Sequence, residues 1–375
     1  MMQMSGKALH IVSFDNPYPP NYGGVIDVYY KIMALHQIGY SIHLHCFVKE
    51  IPEHFDELKA LTATVCFYKI EQNPLYFLSR LPFSVISRSD RKLIENIVKE
   101  EAPILFDGLK TTCLMNALRL KSYKKYLRLH NIEPNYYKGI ASSETNFMKK
   151  IAFYLEARKY KRYEYEMNAF NKVFTLSEFE NEVVNQRFSN AVYIPVFHGN
   201  VAVKELSDFG NYALYHGDLT TSDNRKTVMF LVGVFKQIPD YQLIIASGSN
   251  EEFVKSQIDD ASNIQFVALK GFDHLKQLFS EAHLNICWSF QKSGTKLKLI
   301  NSLFNSRHCI INENIIDDYK VSGLCIQVKN EEELLTAIKK TIQLPFTETA
   351  RRKKILESHL NDIENARLLA AELSK

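Results

Sequence analysis

"NPYPPNYGGVIDVYYKIMALHQIGY", residues 16–40, follows directly on the apolar run "LHIVSF" at 9–14. Three prolines and two adjacent glycines separate a strand-like run from a helical one. A tight turn needs fewer breakers. A loop that holds a fixed shape while bringing bare backbone to a ligand has a use for all of them. Apolar residues from 25 to 38 recur at helical spacing, and a second apolar run follows at 41–48. Strand, loop, helix and strand make the unit from which parallel sheets are built.

The alternation continues along the chain. Further strand-like runs lie at 63–68, 104–106, 125–129, 172–175 and 192–195, with helical stretches between most of them. Ser177-Glu178-Phe179-Glu180 has capping-box spacing, so the strand ending at Thr175 turns at once into a helix. The pattern weakens over "HGNVAVKELSDFGN", residues 198–211, the expected linker. A second series then predicts strands at 212–215, 242–246, 264–267, 284–288, 309–311 and 324–328, and residues 347–375 read as helix. The expectation is an α/β protein of two parallel-sheet domains, 1–197 and 212–346. Right-handed crossovers put the loops that follow the strands along one edge of each sheet, where ligands bind, and two such domains in tandem predict a central cleft.

Composition narrows the class. The 375 residues exceed one ordinary core. A net charge of +4 is a mild surplus, compatible with an anionic ligand or membrane surface and too small to argue for nucleic acid. The six cysteines show no C-x-x-C pair and suit reduced, buried thiols, so a cytoplasmic protein is expected. The start of the chain leads into a strand and not into a signal sequence, and no apolar stretch is long enough to span a membrane.

Three loops after strands carry candidate chemistry. In the first, Gly23 and Gly24 precede a helix whose unpaired N–H groups suit a phosphate or an acceptor hydroxyl; a rigid connector is the plainer reading. There is no G-x-G-x-x-G, which gives a nicotinamide or flavin little support. In the second, "YHGDLTTSDNRK" at 215–226, Gly217 allows close backbone approach. Arg225 and Lys226 either face phosphate or are solvated first-turn residues. In the third, "WSFQKSGTKLKLINSLFNSRHCIIN" at 288–312, Gly294 leads to Lys296 and Lys298 at a helix start. Lysine is unfavourable there unless an anion is held beside it, although two solvated lysines would also serve solubility. His130 ends the run "KKYLRLH" at the carboxyl edge of a strand, as a sugar-hydroxyl partner, a proton carrier or a structural residue. Residues 148–167 carry Lys/Arg at 149, 150, 158, 159, 161 and 162 against Glu156, Glu164 and Glu166. Such a helix rests on an anionic leaflet or is a solvated face with packed tyrosines.

The order of "NPYPPNYGG", "LRLHN", "FTLSEFE", "YHGDLT" and "SGTKLKLINSLFNSRHCIIN" resembles bacterial group 1 (family 4-like) glycosyltransferases of the GT-B fold, over nearly the whole chain. The resemblance implies two Rossmann-like domains and a retaining, metal-independent transfer. A nucleotide-diphospho-sugar would be the donor substrate, with no other cofactor, and the acceptor a glycan, a lipid-linked or a protein-linked group. It also implies that the 347–375 helix crosses back to the first domain. Gly23, Gly24 and Gly217 match its glycine loops, His130 its strand-end histidine, Ser177 a cleft-facing helix start, and Gly294 and Lys298 the approach to its donor-binding helix. Arg225, Lys296 and Asn301 complete the expected donor set.

The chain departs from that pattern. The family's Glu-x7-Glu pair falls at Ser293 and Asn301, and the cations of its phosphate loop fall at Asp218 and Asn224. The expected role is biosynthesis of a surface polysaccharide or glycoconjugate, in the cytoplasm or peripherally at the inner membrane face through 148–167. A catalytically silent scaffold or sugar-binding protein, and a sugar-nucleotide epimerase of the same fold, are the alternatives. A metal-bridged donor site is not expected, since no Asp-x-Asp occurs.

Overall fold

The computed structural model describes residues 7–21, 23–144, 146–259, 261–291 and 297–375. The chain divides into two units: residues 1–141, 148–199 and 362–375 form one, and 142–147 with 200–361 the other.

The first unit is built on seven parallel strands: β1 (Lys7–Ser13), β2 (Tyr40–Val48), β3 (Thr64–Lys69), β4 (Ile104–Asp107), β5 (Lys125–Leu129), β6 (Lys172–Thr175) and β7 (Ala191–Tyr193). Their order is β3-β2-β1-β4-β5-β6-β7. The register pairs Ile11 with Leu44 and Val12 with Phe106. Successive residues point to opposite faces, and both faces are covered. Leu9, Ile11, Ile42, Leu44 and Leu105 pack with Val25, Val28, Ile32 and Leu35 of helix Gly23–Gln37 and with Ala366, Leu369 and Leu373 of the last helix. Val12, Phe47, Ile104, Phe106 and Leu127 pack on the other side against Leu93, Ile97 and Tyr160.

The second unit has six parallel strands: β8 (Ala213–His216), β9 (Leu243–Ser247), β10 (Ile264–Ala268), β11 (Leu284–Cys287), β12 (His308–Ile311) and β13 (Ile326–Gln327), ordered β10-β9-β8-β11-β12-β13. In each sheet the chain runs outward in one direction from the first strand and then returns to that strand's other side. The reversal falls between β1 and β4 in the first sheet and between β8 and β11 in the second. Loops leaving the carboxyl ends of such a strand pair splay apart, and the gap between them is where open α/β sheets take ligands.

Three expectations change in detail. The terminal segment is two helices, Thr349–His359 and Asp362–Leu373, because Leu360 leaves helical geometry at φ −116°, ψ 60°. The basic stretch is helical over Phe147–Tyr163 and then tightens to a 3-10 turn, Glu164–Ala169. Of the expected linker 198–211, residues 200–211 belong to the second unit: Lys204 N donates to Phe304 O, Asp208 bridges Phe346, and Gly210 N donates to His283 Nδ1. The chain leaves the first unit at Gly199 and re-enters it at Asp362. There the Asp362 carboxylate accepts the backbone N–H groups of His198 (3.1 Å) and Gly199 (2.8 Å).

Candidate functional site

The first unit gathers its polar groups at the β1/β4 reversal. Phe14, just past β1, is buried, and its ring lies over the start of helix Gly23–Gln37. A Cβ added at Gly24 would stand 2.5 Å from Phe14 Cζ, so this glycine is what lets the ring close down on the helix. The Phe14 carbonyl accepts from Arg88 Nε (3.3 Å) and Nη2 (3.2 Å), while the Lys110 ammonium sits 3.7 Å from the centre of the ring. His130, just past β5, meets the same ring edge-on at 5.4 Å. The opening loop is stiff for reasons besides its prolines: Asn16 N donates to Asp15 Oδ1 and Tyr18 N to Asn16 Oδ1.

Beneath these groups lies a buried charge network. Arg128 of β5 grips Asp27 bidentately, Nε to Oδ2 at 3.1 Å and Nη2 to Oδ1 at 2.8 Å. Its Nη1 and Nη2 also donate to the carbonyls of Ile194 and Pro195. Lys31, one helical turn from Asp27, reaches Asp27 at 3.3 Å and Asp107 at the end of β4 at 2.6 Å. Burial alone would raise the Asp27 carboxyl, but the Arg128 and Lys31 charges hold it well below the carboxylate range. Asp107 Oδ1 also accepts from His130 Nε2 at 3.2 Å, and its Oδ2 is buried without a hydrogen-bond partner among the described residues. Burial pushes the His130 imidazole down despite the Asp107 bond that raises it, so the ring is neutral at pH 7. With its proton on Nε2, the ring offers Nδ1 as an acceptor.

Asp27, Asp107 and His130 stand close enough together to suggest a cation site. The donor set does not fit one, because the Lys31 ammonium already bridges both carboxylates and Arg128 fills the other side of Asp27. Beside the network, burial pushes the Glu133 carboxyl up to about 7 against the pull of Lys110, and burial brings the Lys110 ammonium down to about 8. Asp107 and Arg128 of the network did not stand out in the sequence. The available signal was a charge ending or interrupting an apolar parallel strand, as in "ILFD" and "YLRL", because such a charge is buried and must have a partner.

In the second unit the β8/β11 reversal is occupied by Lys298, at the second position of helix Leu297–Asn305. Its ammonium donates to the Trp288 carbonyl at 3.0 Å, just past β11, and lies 5.3 Å from the Tyr215 ring centre on β8. Burial lowers its pKa, and its charge adds to the burial that holds neighbouring His216 neutral, down at about 3. Gly217 follows His216, and a Cβ there would press within 3.2 Å of Tyr215 Oη and Asn224. Asn224 is tied to both sides of the turn, accepting from Tyr215 Oη and donating to Asp218 O. Asp223, in the first turn of helix Ser222–Phe235, accepts from Ser289 Oγ at 2.8 Å and Phe290 N at 3.0 Å, joining the two loops.

The remaining expected residues have definite places. Arg225 turns back on its own loop, donating to Leu219 O and Thr220 O. Asn301 is buried, and its Oδ1 accepts from Asn200 Nδ2 at 2.9 Å. Ser177 caps helix Glu178–Phe188, with Oγ accepting from Glu180 N. Gly23 is the first residue of its helix. Gly294 and Lys296, with Ser293 of the altered glutamate pair, lie outside the described residues.

No protein-family model matches the chain. Among curated proteins it is similar to an uncharacterized 44.6 kDa protein in the cps region of Klebsiella pneumoniae, with 26% identity over 316 residues, 79% of this chain and 80% of that protein. Among solved structures it is similar to an E. coli trehalose-6-phosphate protein bound with UDP-2-fluoro glucose: 8% identity, TM-score 0.67, covering 98% of this chain and 99% of the other. TarM from S. aureus, in complex with fondaparinux, α-GlcNAc-glycerol and UDP, gives 11% identity and TM-score 0.66 over 98% and 100%. At these identities the likeness is one of fold. The two parallel-sheet units have the Rossmann-like fold of the GT-B glycosyltransferases.

Proposed function

We propose that the protein is a glycosyltransferase that moves a sugar from a nucleotide-diphospho-sugar to a glycan, lipid-linked or protein-linked acceptor. Its reaction would retain the anomeric configuration and need no metal. Surface polysaccharide or glycoconjugate synthesis is the proposed setting, at the cytoplasmic face of a membrane, in keeping with the cps-region relative. The observation that carries this reading is Lys298: a partly buried ammonium at a strand reversal, held among the described residues by one carbonyl and one aromatic face. A diphosphate there would regain for the lysine the solvation it has lost and would be favoured by the N–H groups and dipole of a helix start.

The chemistry asks for little more. The bond between the anomeric carbon and the diphosphate oxygen breaks, with Lys298 stabilising the leaving charge. The acceptor hydroxyl bonds to the same face of the sugar, and its proton passes to the departing oxygen. His130, neutral and fixed by Asp107, is assigned a sugar hydroxyl at Nδ1. The wider donor set of Gly23, Gly24, Ser177, Gly217, Arg225, Gly294, Lys296 and Asn301 is narrowed on geometric grounds. Ser177 and Gly24 have local structural duties, Arg225 reaches donor only by releasing its loop carbonyls, and Lys296 remains a rival cation.

Lys298→Ala is expected to weaken UDP or GDP binding by about ten- to a hundredfold, the worth of a charge-assisted contact. Calorimetric titration of both nucleotides into the wild type, Lys298→Ala and Lys296→Ala tests this. Loss in the Lys296 variant alone would move the site. Unchanged affinity in both variants would remove the phosphate assignment. A sugar-binding scaffold is the second reading, favoured by one observation: the loop after β8 presents the Asp218 carboxylate, which binds Thr220 N and Oγ1, where a phosphate loop would carry a cation. Hydrolysis or transfer across a panel of nucleotide-sugars separates the two.

A further inference from the structure

We propose that helix Phe147–Tyr163 and the neighbouring 3-10 turn Pro74–Leu78 form a single docking surface for an anionic lipid bilayer. The helix faces its own core with Glu156, Ala157 and Tyr160. At 100° per residue the opposite face carries Met148, Ile151 and Leu155, followed by Arg158 and Arg162. Met148 is 75% exposed, Ile151 42% and Leu155 54%. Water-facing positions of a helix normally carry polar groups, so this half of the helix is apolar on the wrong side for a free surface.

The turn supplies a second exposed apolar group. None of its five residues is buried, and Leu75 and Leu78 are 68% and 85% exposed. It is fastened to the helix. Lys159 Nζ donates to Phe77 O at 2.9 Å, Phe77 stacks on Phe83 with ring centres 4.5 Å apart, and Phe83 N donates to Glu156 Oε2 at 2.7 Å. Glu156 in turn holds Lys159 at 2.7 Å. The two apolar groups therefore move as one body.

Charge selects the occupant. Arg158, Lys161 and Arg162 are exposed beside the apolar residues, and the acidic side chain of this helix, Glu156, is buried and already paired. A second copy docked on the same face would bring like charges together. A bilayer of anionic headgroups complements them, while the leucines enter the acyl boundary and the arginine stems lie along it. The surface is narrower than the basic stretch 148–167 suggested, since Met167 is buried and Glu164 is paired with Arg187. This deepens the membrane part of the proposed function, and its test reads lipid binding, not transfer, so the two fail separately.

The test is co-sedimentation of the full chain with phosphatidylcholine vesicles, with and without phosphatidylglycerol, at low and high salt. The wild type is expected to bind the anionic vesicles and to release at high salt. Arg158→Gln with Arg162→Gln should weaken binding about thirtyfold, taking about fivefold per basic residue. Leu75→Gln with Leu78→Gln, and separately Ile151→Gln with Leu155→Gln, should each weaken it about tenfold or more. All these side chains are exposed, so an unchanged melting curve certifies the fold of each variant. Absence of binding to anionic vesicles at low salt would overturn the proposal. So would binding indifferent to the leucine pairs, or a wild-type dimer that Leu155→Gln converts to monomer.

Discussion

Lys31 shows how much of a site can hide in one residue. In "VIDVYYKIM" it stands four residues after Asp27, a spacing shared with the ion pairs that decorate helix surfaces. It is instead fully buried, bridging Asp27 and Asp107 beneath His130. Its second partner, Asp107, lies 76 residues away, and local spacing carries no information about it. Removing the cation alone, as Lys31→Met, leaves Asp107 uncompensated and should cost about 3–5 kcal/mol, measurable as loss of denaturant stability. Adding Asp107→Asn should restore part of that loss; a double variant as unstable as the sum of the singles would show that the pair is not coupled. His130→Ala should lower turnover more than donor affinity, because contacts to a transferred sugar strengthen as the leaving group departs. Wild-type turnover in a variant with an unchanged melting profile would make His130 structural.

The elements were more legible than the site. The thirteen strand-like runs in the sequence each correspond to one of the thirteen strands among the described residues, with ends displaced by at most two residues. Strands buried on both faces are short continuous apolar runs, and few other structures produce that signal between helices. Ends were less clear: the run at 324–328 shortens to Ile326–Gln327, where pairing to β12 supplies two residue pairs. The glycines of the opening loop suit a ligand loop or a rigid connector, and Gly24 has a packing reason of its own in Phe14. Gly24→Ala should therefore destabilise the first unit by about 1–3 kcal/mol through displacement of the buried ring. Thermal melting measures it, and a variant as stable as wild type would show that the ring has room to move.

Across the whole molecule, buried neutral histidines set an acid limit. In the first sheet His10 Nε2 bonds Glu100 O at 2.9 Å, His10 Nδ1 meets His45 Nε2 at 3.0 Å, and His45 Nδ1 meets Tyr68 Oη at 2.9 Å. With a proton on each Nε2 and on the tyrosine, every bond in this chain has one donor and one acceptor. A further proton on His10 Nδ1 would face the His45 Nε2–H across their bond and oblige the chain to rearrange. Burial lowers His10, and burial with the neighbouring His10 and His43 charges brings His45 down to about 3; His308 in the second unit stands at about 4. The unfolded chain takes up protons near pH 6.5, above all of these values. The stabilisation is thus complete above about pH 6.5 and is lost as pH falls towards the folded values, by up to roughly 1.4 kcal/mol per group per pH unit. Melting temperature should fall steeply below about pH 6, and less steeply in His45→Gln. A profile flat over that range would contradict the neutral assignment.

The clasp of Asp362 on the backbone of His198 and Gly199 also fixes when the first unit can be finished. Its core includes Ala366, Leu369 and Leu373, and the Leu373 carbonyl accepts from Tyr126 Oη at 3.3 Å. Those residues are synthesised only after residues 200–361 of the second unit. Until then one flank of helix Gly23–Gln37 and its apolar side chains must wait uncovered, open to chaperones or to neighbouring nascent chains. Because exit and re-entry lie within one hydrogen bond of each other, a gene that joins Gly199 to Asp362 by a short bridge would close this unit without the long interruption, and its product would complete its core as it was synthesised.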